Sequence, residues 1–143
     1  MRIRDVLQSK PSAEVITIGP DATVRELLAL LAEHNVGAVI VSQDGGRVDG
    51  IVSERDVVRR LHTDEGALAG PVAGIMTAKV HTTEPDHALE ELMSLMTEHR
   101  IRHVPVLSDG QLTGIISIGD VVKSRIGELE FERDQLDSYL HHS

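Results

Sequence analysis

The chain says nearly the same thing twice. Residues 20–45 realign onto residues 85–110 at a constant offset of 65, with 11 identities in 26 positions. After a one-residue deletion in a turn, residues 50–59 realign onto 114–123 at an offset of 64, with 6 identities in 10. Agreement is strongest at the end of each copy, where Gly50-Ile51-Val52-Ser53-Glu54-Arg55-Asp56-Val57-Val58 stands against Gly114-Ile115-Ile116-Ser117-Ile118-Gly119-Asp120-Val121-Val122. A unit this short buries its own apolar faces poorly, so the two copies are expected to pack on each other. That packing creates one cleft with two related sites. The chain of 143 residues is read as one compact module: a first repeat at 5–66, a second at 72–127 and a tail at 128–143.

Each copy reads strand, helix, strand, strand, helix. Val15 to Ile18 and Val80 to Thr83 are short β-prone runs ended by Pro20 and Pro85. Val24, Leu27, Leu28 and Leu31, like Leu89, Leu92, Met93 and Met96, fall at i, i+3, i+4, i+7 and predict a helix in each copy. Asp21 and Asp86 are expected N-caps, and Thr23 with Glu26 has capping-box spacing. The helices should stop near Asn35-Val36-Gly37 and Arg100-Ile101-Arg102. Ala38 to Ser42 and His103 to Ser108 then read as buried strands. Asp44-Gly45-Gly46 and Asp109-Gly110 predict a tight hairpin into the strands Gly50 to Ser53 and Gly114 to Ser117. Second helices should begin at Ser53 and Ser117. Residues 62–71 join the copies, and a helical turn at Val72 to Met76 mirrors one at Ile3 to Leu7. Beyond it, Ile126, Leu129, Arg133, Leu136 and Leu140 step by 3 and 4 through a charged background, which makes the tail an amphipathic extension of the last helix. The stripe could lie on the module or pair with a second chain.

Composition removes several function classes. Fourteen basic against twenty-three acidic residues give a net charge of −9, which opposes a broad nucleic-acid-tracking surface. Phe131 and Tyr139 are the only aromatics besides histidine, too few for base-stacking platforms. There is no cysteine, so disulfides and thiolate chemistry are out and a reducing, cytoplasmic setting is expected. No apolar run follows the charged start as in a signal peptide, and the longest, Val36 to Val41, is too short to span a membrane. No phosphate-binding glycine loop, nucleophile elbow or metalloprotease helix motif is present, and an enzyme is not expected.

The element that can carry chemistry is the repeated Gly-x-x-Ser-x-x-Asp. Where a strand ends and a helix begins, its Ser is an N-cap and its Asp sits at N3, at the positive end of the helix dipole. Backbone N–H groups there favour an anion, and the carboxylate can accept hydroxyl hydrogen bonds such as those of a ribose diol. The same spacing makes a plain capping box, and the two roles are compatible. His34 and His99 occupy equivalent last-turn positions, where imidazolium would favour the helix C-terminus.

Pro20 to Leu28, Ser53-Glu54-Arg55-Asp56-Val57-Val58, Ile75-Met76-Thr77, Arg100-Ile101-Arg102-His103-Val104-Pro105-Val106 and the two Gly-x-x-Ser-x-x-Asp elements resemble, in register and twice, a tandem pair of CBS domains, the Bateman module, of the stand-alone bacterial type. The resemblance implies an α/β (α+β) fold: two β-α-β-β-α repeats with pseudo-two-fold symmetry, packed sheets flanked by helices, and here a C-terminal amphipathic helix. It also implies a regulatory module that binds an adenosyl nucleotide between the repeats, AMP foremost, with ADP, ATP, NAD(H) or S-adenosylmethionine as alternatives. Such a module would form a homodimer and signal energy or redox state to an effector protein, with no catalytic cofactor, metal, nucleic acid or membrane involved. By the same resemblance Asp56 and Asp120 would hold ribose hydroxyls, and Ser53 and Ser117 ribose or phosphate. Thr17, Ile18, His81 and Thr82 would border the adenine, Val39 and Val104 would line it, and Arg55 and His103 would meet phosphate. Pro105 suits a bulge or strand edge beside the cleft. The copies differ at these places: Arg102-His103-Val104-Pro105 replaces Gly37-Ala38-Val39-Ile40, and Gly119 replaces Arg55. Unequal sites are therefore expected. The alternative is a dimeric interaction protein that keeps the fold without a physiological nucleotide.

Overall fold

A computed structural model describes residues 1–12 and 14–142, the last by its backbone only. In chain order the elements are α1 (Ile3–Ser9), β1 (Thr17–Ile18), α2 (Val24–His34), β2 (Ala38–Val41), β3 (Gly50–Ser53), α3 (Glu54–Thr63), α4 (Leu89–His99), β4 (His103–Ser108), β5 (Gln111–Ser117) and α5 (Ile118–His142). Two 3-10 turns, Glu65–Ala69 and Val72–Gly74, join α3 to the second half. The first sheet has the order β1-β2-β3, with β1 parallel and β3 antiparallel to β2. The second is the antiparallel pair β4-β5.

The first helices stop where expected. Asn35 and Arg100 take the left-handed conformation, with φ of 51° and 54°. Their starts differ from expectation, because Thr23 and Ala88, not Asp21 and Asp86, are the N-caps. The cause is tertiary. Thr23 bridges Pro71 and Ala88 bridges Arg2, so the chain stays extended two residues longer. The first free helix amides are then met by distant carbonyls, Val24 N–H by Gly70 and Leu89 N–H by Met1, both at 3.0 Å. Thr23 and Glu26 do close a capping box, whereas Ala88 has no side-chain cap.

The hairpins also split. Asp109 (φ 52°) and Gly110 (φ 78°) form the two-residue turn expected between β4 and β5. In the first copy residues 42–49 make a longer loop instead, in which the Asp44 carboxylate accepts the Gly46 and Arg47 N–H groups at 2.9 and 2.8 Å. The strand expected at Val80 to Thr83 reduces to a single bridge, Thr83 to Val106. Its counterpart β1 pairs with Ile40 and Val41. The second copy has Pro105 where the first has Ile40, and proline brings no N–H to the ladder. Thr83 N–H still donates to the Pro105 carbonyl, and the register shifts immediately after, between Val106 and Leu107.

Two aliphatic cores result. One gathers Ile18, Val24, Leu27, Leu31, Val39, Val41, Val52, Val57 and Val72; the other gathers Ile3, Val6, Leu89, Leu92, Met96, Val104, Val106, Ile116 and Val121. Each core is thus completed by a segment that precedes the other repeat in sequence: α1 packs with the second copy, and the turn at Val72 packs with the first. The exchange is anchored at matched glycines. A Cβ on Gly50 would lie 2.6 Å from Met76 Sδ, and one on Gly114 would lie 2.7 Å from Leu7 Cδ2. Met76 and Leu7 occupy corresponding places in the two exchanged segments. The tail stripe does not lie on the module: Ile126, Leu129 and Leu136 are all exposed.

Candidate functional site

Both Gly-x-x-Ser-x-x-Asp elements form the reciprocal cap at a strand-to-helix junction. At α3, Ser53 N–H donates to Asp56 Oδ2 at 2.8 Å and Asp56 N–H donates to Ser53 Oγ at 3.3 Å. The Ser53 hydroxyl also donates to Asp56 Oδ2 at 3.1 Å. At α5, Ser117 N–H donates to Asp120 Oδ2 at 2.9 Å and Asp120 N–H to Ser117 Oγ at 3.2 Å. The chain approaches each helix through a matched bond, Glu54 N–H to the Gly37 carbonyl and Ile118 N–H to the Arg102 carbonyl. These bonds hold the loop after α2 or α4 against the helix start of the same copy.

From there the copies part. Ser53, Arg55 and Asp56 line an open cleft of about 310 Å³ whose other wall is Arg100, Ile101, Arg102 and His103 of the second copy. Glu54, Arg59, Gly37, Ala38, Ile51 and Thr77 complete it. Among the described residues, Asp56 keeps Oδ1 without a hydrogen bond, and Arg55, Arg59, Arg100 and Arg102 form no ion pair.

At the second carboxylate stands Lys10. Its ammonium lies 3.1 Å from Asp120 Oδ2 and donates to the Ile115 carbonyl at 2.7 Å. A recess of about 40 Å³ lies beside Lys10, walled by Leu7, Ser12, Thr113 and Gly114 among others. Burial works against the charge of Asp120, but the Ser117 N–H and the Lys10 ammonium outweigh it and hold the carboxyl below its ordinary value. His103 lines the cleft with Asp56 and also feels the charges of Asp120 and Lys10. Burial is the main influence and pushes its pKa down; Asp120 and Glu54 pull it up, and Lys10 and Arg102 add to the decrease.

The other residues named from sequence lie elsewhere. Val39 and Val104 are 1% and 0% exposed and belong to the two cores. Pro105 is buried in β4. Thr17 and Ile18 form β1, half-buried and buried respectively. Thr82 is exposed, and the exposed His81 stacks on His99 with ring centroids 4.0 Å apart. None of these seven lines the cleft.

Sequence reading missed Lys10, Arg59, Arg100 and Arg102 as site residues. Arg59 follows Arg55 by four on one helix face, a signal the spacing carried. Arg100 and Arg102 were visible only as part of a motif. Nothing local marks Lys10. Among the described residues no group of His, Asp and Glu is arranged to hold a metal, and no helix is long and apolar enough to cross a membrane.

The model of the CBS domain matches residues 3–63 and 72–127. The chain is 34% identical over 146 aligned positions to the mitochondrial CBS domain-containing protein CBSX3 of Arabidopsis thaliana, spanning 96% of this chain and 71% of that one. In structure it is similar to a CBS-domain containing protein from Agrobacterium tumefaciens, with a TM-score of 0.83 and 40% identity over 87% of this chain and 99% of the other. It is also similar to the CBS domain pair of protein MJ0100, solved in complex with 5′-methylthioadenosine and S-adenosyl-L-methionine. There the TM-score is 0.78, with 25% identity over 90% of this chain and 98% of that one.

Proposed function

This chain belongs to the CBS-domain family, and from that premise we propose that it is a regulatory module that binds one adenosyl nucleotide per chain in the cleft between its repeats. The observation that carries the reading is the pairing of Asp56, with an unengaged oxygen, and the second copy's Arg100-to-His103 wall across one open cleft. The carboxylate would accept the ribose hydroxyls, and the N–H groups at the start of α3 would face phosphate. An adenosyl ligand is supported by the MJ0100 pair, which holds two of them. The second site is occupied by Lys10, which supports one ligand per chain. The proposed role is binding, and occupancy would report energy or redox state to an effector protein. The cysteine-free sequence supports a cytoplasmic setting.

The test is calorimetric titration of ligand-free protein with AMP, ADP, ATP, NADH and S-adenosylmethionine. The expected result is saturable binding with a stoichiometry of one, lost in Asp56→Asn and retained in Asp120→Asn, both variants keeping the wild-type circular dichroism. Binding that survives Asp56→Asn would sink the ribose assignment.

A second reading rests on α5. Val122, Ile126, Leu129, Phe131, Leu136 and Tyr139 are each 49% or more exposed. A homodimer through this helix is proposed with either reading, and it would be the working surface if no nucleotide binds. Sedimentation equilibrium of the full chain reads it directly.

A further inference from the structure

The last helix runs far past its counterpart. In the first copy α3 ends at Thr63 after ten residues, whereas α5 continues for twenty-five. Val121 is buried, and the partly buried Glu128 meets Arg125 at 3.2 Å and the Met1 amino group at 3.8 Å. From Leu129 to His141 every residue is exposed. An unsupported helical extension of this length is marginal in water, so its apolar positions call for a partner. Ile126, Leu129, Arg133, Leu136 and Leu140 step by 3 and 4, which puts them at the a and d places of successive heptads. The places that flank such a seam, e and g, then hold Glu130, Glu132 and Asp137, with Arg125 before them and Tyr139 after. Among the described residues none of these three acids forms an ion pair. Residues 128–137 carry five acids against the single base Arg133. A seam with these flanks does not suit a second copy of itself. In a parallel pair of tails Glu132 would face Asp137 of the second copy, and Arg133 would meet Arg133 within the seam. In an antiparallel pair the flanking acids Glu130 and Asp137 would face each other. Like charges so placed oppose association.

We infer that residues 129–140 are a docking surface for a basic amphipathic helix of a partner protein, one with Lys or Arg on both sides of its apolar stripe and an acid opposite Arg133. The charge pattern selects this occupant. Each flanking acid gains an opposite charge, and the Arg133 guanidinium, placed mid-seam, gains a carboxylate that fixes the register. The apolar residues supply the area to be buried, with Leu129 and Leu136 at 49% and 60% exposed. A homodimer through the first turns of α5, at Val122 and Ile126, leaves this stretch accessible. None of its residues lines the cleft, so the surface requires no nucleotide there, and it gives an effector protein a defined place to bind.

The probe is a fluorescein-labelled synthetic peptide about three heptads long, with Leu at the a and d places, a single Glu at the central a place, and Lys at e and g. A control peptide carries Glu at e and g and Lys at that central place. Fluorescence anisotropy reads their binding to the full chain. The Lys-flanked peptide is expected to bind saturably and at least about tenfold more tightly than the control. Leu129→Asp/Leu136→Asp should abolish binding with thermal unfolding unchanged, since both side chains are exposed. Glu130→Lys/Glu132→Lys/Asp137→Lys should reverse the preference, so that the control peptide becomes the tighter binder. A merely adhesive apolar face would show no reversal. Equal binding of the two peptides, a preference unmoved in the triple variant, or no binding of either peptide would overturn the inference. Sedimentation equilibrium supplies the remaining outcome: self-association of wild type that Leu129→Asp/Leu136→Asp abolishes would assign the surface to a second copy instead.

Discussion

The Lys10 ammonium sits 3.1 Å from Asp120 Oδ2, joining two residues on opposite ends of the chain at a helix start whose counterpart, Asp56, has no such partner among the described residues. Both side chains are about one quarter exposed, so the pair is partly desolvated. Lys10→Met keeps most of the stem and removes the charge. It should cost about 1 kcal/mol, the discounted value for a partly exposed pair, read as a lower urea midpoint with unchanged slope. The pH dependence has a defined sign. A carboxyl held below its unfolded value of 3.8 contributes stability above that pH, and the contribution is lost as pH falls through the folded value. In Lys10→Met the acid limb should therefore flatten.

His103 has the same sign in a different window. Its pKa is pushed below 6.5, mainly by burial, so the neutral ring is preferred in the folded chain. Its contribution is complete above 6.5 and is lost as pH falls through the lower folded value. Asp120 and Glu54 soften the effect, while Lys10 and Arg102 strengthen it. Wild type should thus lose thermal stability between pH 7 and pH 5 more steeply than His103→Gln. Parallel curves would show that the ring does not titrate differently on folding.

Gly50 and Gly114 should differ in their tolerance of alanine. A Cβ at Gly50 meets Met76 Sδ at 2.6 Å and the Thr77 carbonyl oxygen at 2.8 Å, and the backbone atom has little freedom to move. The three atoms nearest a Cβ at Gly114 all belong to the end of the Leu7 side chain, the first at 2.7 Å. Gly50→Ala is expected to cost about 2–3 kcal/mol and Gly114→Ala about 1 kcal/mol, measured by chemical denaturation. The reverse order would mean that the Val72 segment is held less firmly than α1.

Arg100 sets stability against function. Arg100→Asn places in the left-handed position the residue type that the first copy uses there, and should stabilise the fold by about 1 kcal/mol. The same change removes one guanidinium from the cleft and should weaken binding of the proposed nucleotide. A variant more stable in denaturant yet poorer in nucleotide titration is the expected combination.

The helix periods, the helix stops near Asn35 and Arg100, the Asp109-Gly110 hairpin and the Ser/Asp helix starts were legible because each is decided by residues within four positions of one another. The repeat and its motifs also gave the family. The single bridge at Thr83 was half legible, since Pro105 was noticed but its effect on the neighbouring segment depends on which strand lies beside it. The helix start at Ala88, the exchange of α1 and the Val72 turn between cores, and the Lys10–Asp120 pair were decided by tertiary structure. All are contacts between segments distant in sequence, for which no local pattern encodes a partner. The sequence alone thus determined a two-copy CBS module with a Ser/Asp element at each of two helix starts. Only the folded chain decided that one carboxylate faces an arginine-walled cleft while the other is met by a lysine, because that choice depends on which end of the chain packs against which repeat.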